Sequence, residues 1–243
     1  MRGETEPDIG DRKDASSITK RISNSSKGRD SNRLTLTSGD LLTDLSVFQI
    51  DQPHQQTLLH AAVTTTREAE SEEGIQSSAI FRGTGGGDVA IFTQWMNRRT
   101  YDQAPQMLLK PPEQDLYQIA IVDHITGQGA SHLAIEDGLF YFINVFPLAP
   151  GKHDDLIDFF ERTIRIVRVQ QGYISTNLLI SLDARHAVNI GQYKTRQDFL
   201  AMSRRPHVLM AFAQGFRRRI VRRPPRLCQY DLLTVSLYHD TQV

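Results

Sequence analysis

The apolar and polar positions of this chain change period in a regular order. Leu139–Pro147 (LFYFINVFP) is an apolar, aromatic run of strand length. Pro150-Gly151 breaks it. From Asp154 to Val169 the apolar residues are Leu156, Ile157, Phe159, Phe160, Ile164 and Val167, the spacing of an amphipathic helix. Gln170-Gln171-Gly172 closes that helix, with Gly172 suited to left-handed backbone. Tyr173–Leu182 predicts a second strand. Asp183-Ala184-Arg185 turns it into a third, His186–Tyr193, as a hairpin. Thr195 is placed to cap another helix that runs to about Met202 and resumes after Pro206 to about Arg219. Arg226–Leu237 predicts the fourth strand. The order is β-α-β-β-α-β, the split βαβ of ferredoxin-like folds.

The same pattern occurs earlier in the chain. Residues 45–101 align without a gap on residues 143–199, at a constant shift of 98. Val47-Phe48 falls on Val145-Phe146, Arg67 on Arg165, Gly74 on Gly172, Gln94-Trp95 on Gln192-Tyr193 and Tyr101 on Phe199. This predicts a first copy with strand 44–51, helix 54–69, hairpin strands 75–82 and 88–95, a helix from about Arg98, and strand 115–123. Leu116 matches Leu227 at a shift of 111, so the first copy lacks 13 residues of its second helix. The expected organisation is a disordered tail over 1–40, a first domain over 41–123, a linker over 124–138 and a second domain over 139–238. Each sheet has one apolar face needing cover, and the sister copy supplies it. The fold class is therefore α+β, with two tandem ferredoxin-like domains forming an α/β barrel within one chain.

Composition narrows the function classes. Lys plus Arg and Asp plus Glu number 28 each, a formal net charge of zero, which argues against phosphate-driven nucleic-acid binding. Cys228 is the single cysteine, so there is neither an intrachain disulfide nor a thiolate metal site. No apolar run approaches membrane-spanning length. The start lacks a signal-peptide pattern. Together these point to a cytoplasmic protein. Residues 1–40 are polar and charged and cannot bury enough surface to fold. Gly83–Gly87 (GTGGG) lies between two strands with no following helix, which makes it a hairpin turn rather than a phosphate cradle. Arg217–Arg226 is the strongest charge run, and the helix dipole accounts for cations there.

Candidate chemistry follows from strand alternation. Asn144 and Phe146 share one face of the first strand of the second copy, and Asn189, Gly191 and Tyr193 share one face of its third. These strands are neighbours in ferredoxin-like order, so the two carboxamides converge on a mostly interior face, where they need partners. Ile143/Val145 and Val188/Ile190 make the opposite faces purely apolar. Each Asn bonding to backbone or to the other Asn is the structural alternative to a ligand.

Ile143–Ser175 and His186–Met202 resemble the antibiotic biosynthesis monooxygenase family. The matching features are the Asn in the first strand, the Pro-Gly-Lys before the helix, Gln-Gly-Tyr at the start of the second strand, and N-x-x-Q-Y in the third. The resemblance covers most of 139–237 and fades over 43–123. It implies a dimeric α/β barrel, and in some members oxidation of aromatic polyketides by molecular oxygen with no flavin, haem or metal. It also implies paired Asn residues with a Trp four positions after the second. This chain divides that set. Asn144 and Asn189 are followed by Tyr193, whereas the first copy has Trp95 but Ser46 and Ile91 in place of both Asn. By resemblance, Asn144, Asn189 and Tyr193 are the catalytic candidates. Phe146, Tyr173 and Trp95 are the substrate-binding candidates, with no metal and no cofactor. The partners implied are a small aromatic substrate and oxygen, and the protein is a pseudo-dimer within the chain that leaves a homodimer open. No general base stands out, since His186 sits at the hairpin and His207 after Pro206. Haem degradation would require His207 as axial ligand. The alternatives are a non-catalytic barrel binding a small hydrophobic ligand and a polyketide cyclase-like relative.

Overall fold

Eight long strands, four from each copy, close a single barrel. The computed structural model describes residues 33–39, 41–69, 74–103, 115–127, 129–222 and 228–238. In chain order these form β1 (Leu34–Thr37), β2 (Leu42–Phe48), α1 (Gln52–Glu68), β3 (Ile75–Gly83), β4 (Val89–Trp95), α2 (Arg98–Gln103), β5 (Leu116–His124) and β6 (Ala130–Leu133). The second copy follows as β7 (Phe140–Pro147), α3 (His153–Val167), β8 (Tyr173–Ser181), β9 (His186–Tyr193), α4 (Arg196–Ser203), α5 (Pro206–Arg217) and β10 (Cys228–Leu237).

The barrel order is β10-β3-β4-β2-β5-β8-β9-β7, and β7 returns to β10. Each copy contributes one four-stranded sheet in ferredoxin-like order. The two sheets join at antiparallel seams, β5 with β8 and β3 with β10. Closure leaves no edge strand in the barrel. The interior is apolar: Leu45, Ala79, Phe81, Phe92, Ile143, Leu179, Val188 and Ile190 belong to one buried cluster with Cys228 and Tyr230. The repeat persists in detail. Ser77 donates to Gln94 Oε1 at 2.6 Å in the first copy, and Ser175 donates to Gln192 Oε1 at 2.6 Å in the second. Gly74 and Gly172 both adopt positive φ, 94° and 75°.

Local signals explain the helices that roof the second sheet. Thr195 accepts a hydrogen bond from the Asp198 N–H and caps α4. Asp154 and Asp155 lie in the first turn of α3, where the dipole favours them. Leu156, Phe159, Phe160, Ile164 and Val167 form its buried face. Gly215 of α5 has no side chain where a Cβ would meet Phe159 at 2.9 Å, so α5 packs closely on α3. The Gly83–Gly87 segment is a turn held by Gln55, whose amide donates to the carbonyls of Gly83, Gly86 and Asp88.

Three expectations change. Part of the 1–40 segment is structured: β1 pairs antiparallel with β6, itself inside the 124–138 segment read as linker. Leu34, Leu36 and Leu133 are fully buried in the barrel cluster, and Ser131 donates to Asn177 Oδ1 at 2.7 Å. Four-residue strands with two apolar side chains each are too short to stand out in a polar window; tertiary burial makes them. The rest of that tail, residues 1–32 and 40, lies outside the described residues. So do the first copy's residues 104–114 and residues 223–226 of the arginine run. The third change concerns the Asn face, which turns toward the helices and not into the barrel. Its neighbours Phe142 and Phe146 pack in the helix-side clusters, while Ile143, Val145, Val188 and Ile190 pack inside. Among the described residues no helix is long and apolar enough to cross a membrane.

Candidate functional site

Asn144 and Asn189 are direct cross-strand partners on β7 and β9. Such pairs place their Cβ atoms about 5 Å apart on one face. Asn189 is buried and Asn144 half-buried. Each has its carboxamide oxygen shielded from solvent without a hydrogen-bond partner. Neither oxygen therefore accepts from backbone or from the other carboxamide. A buried acceptor left unpaired costs about 1–3 kcal/mol, so two adjacent ones mark a place where a donor-bearing ligand gains affinity.

Aromatic walls flank the pair along the strands. On one side, Phe146 stacks on Phe160 of α3 at 6.0 Å between centroids and 16° between planes. On the other, Phe142 lies over Gly191, followed by Tyr193 and by Phe199 of α4. Phe212 of α5 packs against both clusters. Of the residues expected from sequence, Asn144, Asn189 and Phe146 come together directly. Tyr193 is on the same face, but four residues beyond Asn189, or about 13 Å along the strand. Tyr173 packs edge-on against it at 5.8 Å. Both rings are buried, and burial pushes both phenol pKa values well above the usual tyrosine range. The Tyr173 hydroxyl donates to Asp123 Oδ2 at 2.6 Å, and Arg168 Nη1 stands 3.4 Å from the other carboxylate oxygen.

Trp95 does not join this group. It is fully buried in the first copy's helix layer with Leu42, Ala69, Ile75 and Leu116, edge-on to Tyr101 at 5.5 Å. The sheets occupy different halves of the barrel wall, so the Trp of one cannot complete the Asn pair of the other. The candidate bases are also elsewhere. His186 is at the hairpin, its Nδ1 2.5 Å from Asp115 Oδ2. His207 is exposed, 3.4 Å from the Gln170 amide nitrogen. Among the described residues no three His, Cys, Asp or Glu side chains converge as a metal site.

Sequence reasoning missed Asp123 and Phe142. Asp123 belongs to the other copy and reaches Tyr173 only through the β5–β8 seam, which no local spacing reveals. Phe142 was legible as a strand residue on the Asn face, but its fold-over onto Gly191 is a tertiary fact.

A family model described as antibiotic biosynthesis monooxygenase matches residues 139–214. Tetracenomycin-F1 monooxygenase of Streptomyces glaucescens is 32% identical over 92 residues, 37% of this chain and 80% of that protein. The crystal structure of an anthrone oxidase-like protein is similar with a TM-score of 0.71 at 18% identity, over 85% of this chain and 98% of that one. A structure described as a major regulator of staphylococcal pathogenesis is similar at 0.51 and 10% identity, over 78% and 98%. At such identities the two structures show a shared fold, and a shared fold is not a shared reaction.

Proposed function

The chain belongs to the antibiotic biosynthesis monooxygenase family, and from that premise we propose that its second copy oxidises a polyketide-type phenol or anthrone with molecular oxygen and no cofactor. The observation that carries this reading is the Asn144–Asn189 pair, with both carboxamide oxygens buried, unpartnered and flanked by aromatic rings.

The neutral substrate donates its phenolic O–H to a carboxamide oxygen. When the proton leaves to solvent, a half-turn of the carboxamide brings its N–H groups to the phenolate and holds that charge in a poorly hydrated site. The phenolate passes one electron to oxygen, and the radical pair recombines to form a carbon–oxygen bond. The peroxide takes up a proton, and loss of water with the remaining hydrogen on that carbon leaves a carbonyl. The balance is CH2 plus O2 giving C=O plus H2O, so the substrate supplies every electron. The protein's part is to favour the anion, hold the ring flat and exclude water.

Oxygen uptake with an anthrone in metal-chelated, flavin-free buffer tests this. Asn144→Ala and Asn189→Ala should each lower turnover by about 10²–10³ with the melting temperature nearly unchanged. Undiminished turnover in both variants would exclude the pair from catalysis. A second reading, a binding module without turnover, is favoured by one feature: the Phe142 ring covers Gly191 between the Asn pair and Tyr193. Saturable binding of a phenol with no oxygen uptake would establish that reading.

A further inference from the structure

Among the cross-strand positions at which the two copies differ, one lies two residues along the strands from the Asn pair. In the first copy Asp44 faces Thr93. Between α1 and the sheet there lies only a small crevice of about 10 Å3, lined by Asp44, Ser46, Ala62, Thr66, Ile91 and Thr93. The shift of 98 that relates the copies puts Phe142 at the Asp44 position and Gly191 at the Thr93 position, and these two are again cross-strand partners.

The ring of Phe142 lies on the backbone of Gly191. A Cβ at Gly191 would stand 2.1 Å from both Cε1 and Cζ of that ring. Phe199 is 4.8 Å from it at 31° between planes, and Tyr193 is 6.2 Å from it at 39°. The ring thus fills a flat-floored space two residues along the strands from the Asn pair, about 7 Å away. Phe160 replaces Ala62 and narrows the opposite end, where Phe146 and Phe159 hold it at 6.0 and 5.7 Å. That end is closed by an interlocked aromatic cluster. Over Gly191 the floor is bare backbone, and a planar ligand ring can take the place of the Phe142 ring against the same Phe199 and Tyr193 faces.

Resting on the Asn-pair reading, we propose that Phe142 is the specificity-determining residue of the second-copy site. A planar phenol anchored at Asn144 and Asn189 extends over Gly191 as its fused rings increase. A two-ring ligand stops short of Phe142, and a three-ring ligand binds only by displacing its ring.

Anaerobic titration separates binding from turnover. The probes are 1-naphthol, with two rings, and 1-hydroxyanthraquinone, with three. In Phe142→Ala the three-ring affinity should rise about tenfold, the scale of one displaced aromatic contact, while the two-ring affinity moves less than about threefold. Phe142→Leu keeps an apolar cover without a flat ring and should fall between; it decides the question if the Ala variant does not fold. Equal shifts for both ligands, or weaker three-ring binding, overturn the assignment of Phe142 alone. A parent protein that binds neither probe and consumes no oxygen overturns the Asn-pair reading and this one with it.

Discussion

Phe142 and Gly191 fit only as a pair. Gly191→Ala would set a methyl 2.1 Å from the Phe142 ring, which would have to leave its place between Gly191 and Phe199. Overpacking of this kind costs about 1–3 kcal/mol. Phe142→Ala costs about 3–5 kcal/mol by cavity formation. Chemical denaturation of both single variants and the double should show coupling. The double should be more stable than the sum of the two losses, because the added methyl then has room. Strict additivity would mean that the ring does not rest on the glycine. The Asn pair was legible at this same scale, since strand alternation and neighbouring strand order suffice to bring Asn144 beside Asn189. What alternation cannot reveal is which side of the sheet is covered by helices, or that neither carboxamide oxygen finds a protein partner.

At the scale of elements, β1 and β6 are short, and neither has a partner within its own copy. Their value lies in Leu34, Leu36 and Leu133, which sit fully buried in the barrel cluster, and in the bonds from Ser131 to Asn177 and from the Gln192 amide to the His132 carbonyl at 2.6 Å. Leu34→Ala or Leu36→Ala should cost about 2–5 kcal/mol in urea unfolding, as full burial implies. Thr35→Ala, on the exposed side of the same strand, should stay within about 0.5 kcal/mol. Equal small effects at all three positions would show that the ribbon adds nothing to the barrel. The helices α3 and α4 were readable in advance because their period, the Thr195 cap and Gly172 act locally. The ribbon was not, because only contact with residues more than 90 positions away along the sequence gives it a buried face.

The whole molecule buries tyrosine heavily. Of seven tyrosines, Tyr101 and Tyr141 have their pKa values pushed up to about 12, chiefly by burial, and Tyr117, Tyr173 and Tyr193 are pushed higher still. Unfolded tyrosines release their protons near pH 10. Above that pH the unfolded chain binds fewer protons than the folded one, so stability falls as pH rises. The urea midpoint should drop steeply from about pH 10 upward, and an ultraviolet titration of the folded protein should show little tyrosinate until it unfolds. A midpoint unchanged across that range would mean that these phenols titrate freely. The buried rings come from both copies and from both faces of the barrel wall, so the effect belongs to the closed barrel.

Sequence alone determined the two copies, the order of their elements and the residues sharing each strand face. All three depend on periodicity and on a constant offset that survive without knowledge of distant contacts. It also determined that one copy carries the Asn pair and the other the Trp, because the substitutions at matched positions are visible in the chain. Tertiary structure alone decided that the Asn face is roofed by helices, that β1 and β6 add to the barrel core, and that Asp123 of the first copy holds Tyr173 of the second. It also decided that the Phe142 ring lies on Gly191, where the first copy pairs Asp44 with Thr93. Each of these depends on which surfaces meet when two sheets close on one another, and closure brings together residues whose separation along the chain carries no trace of the contact.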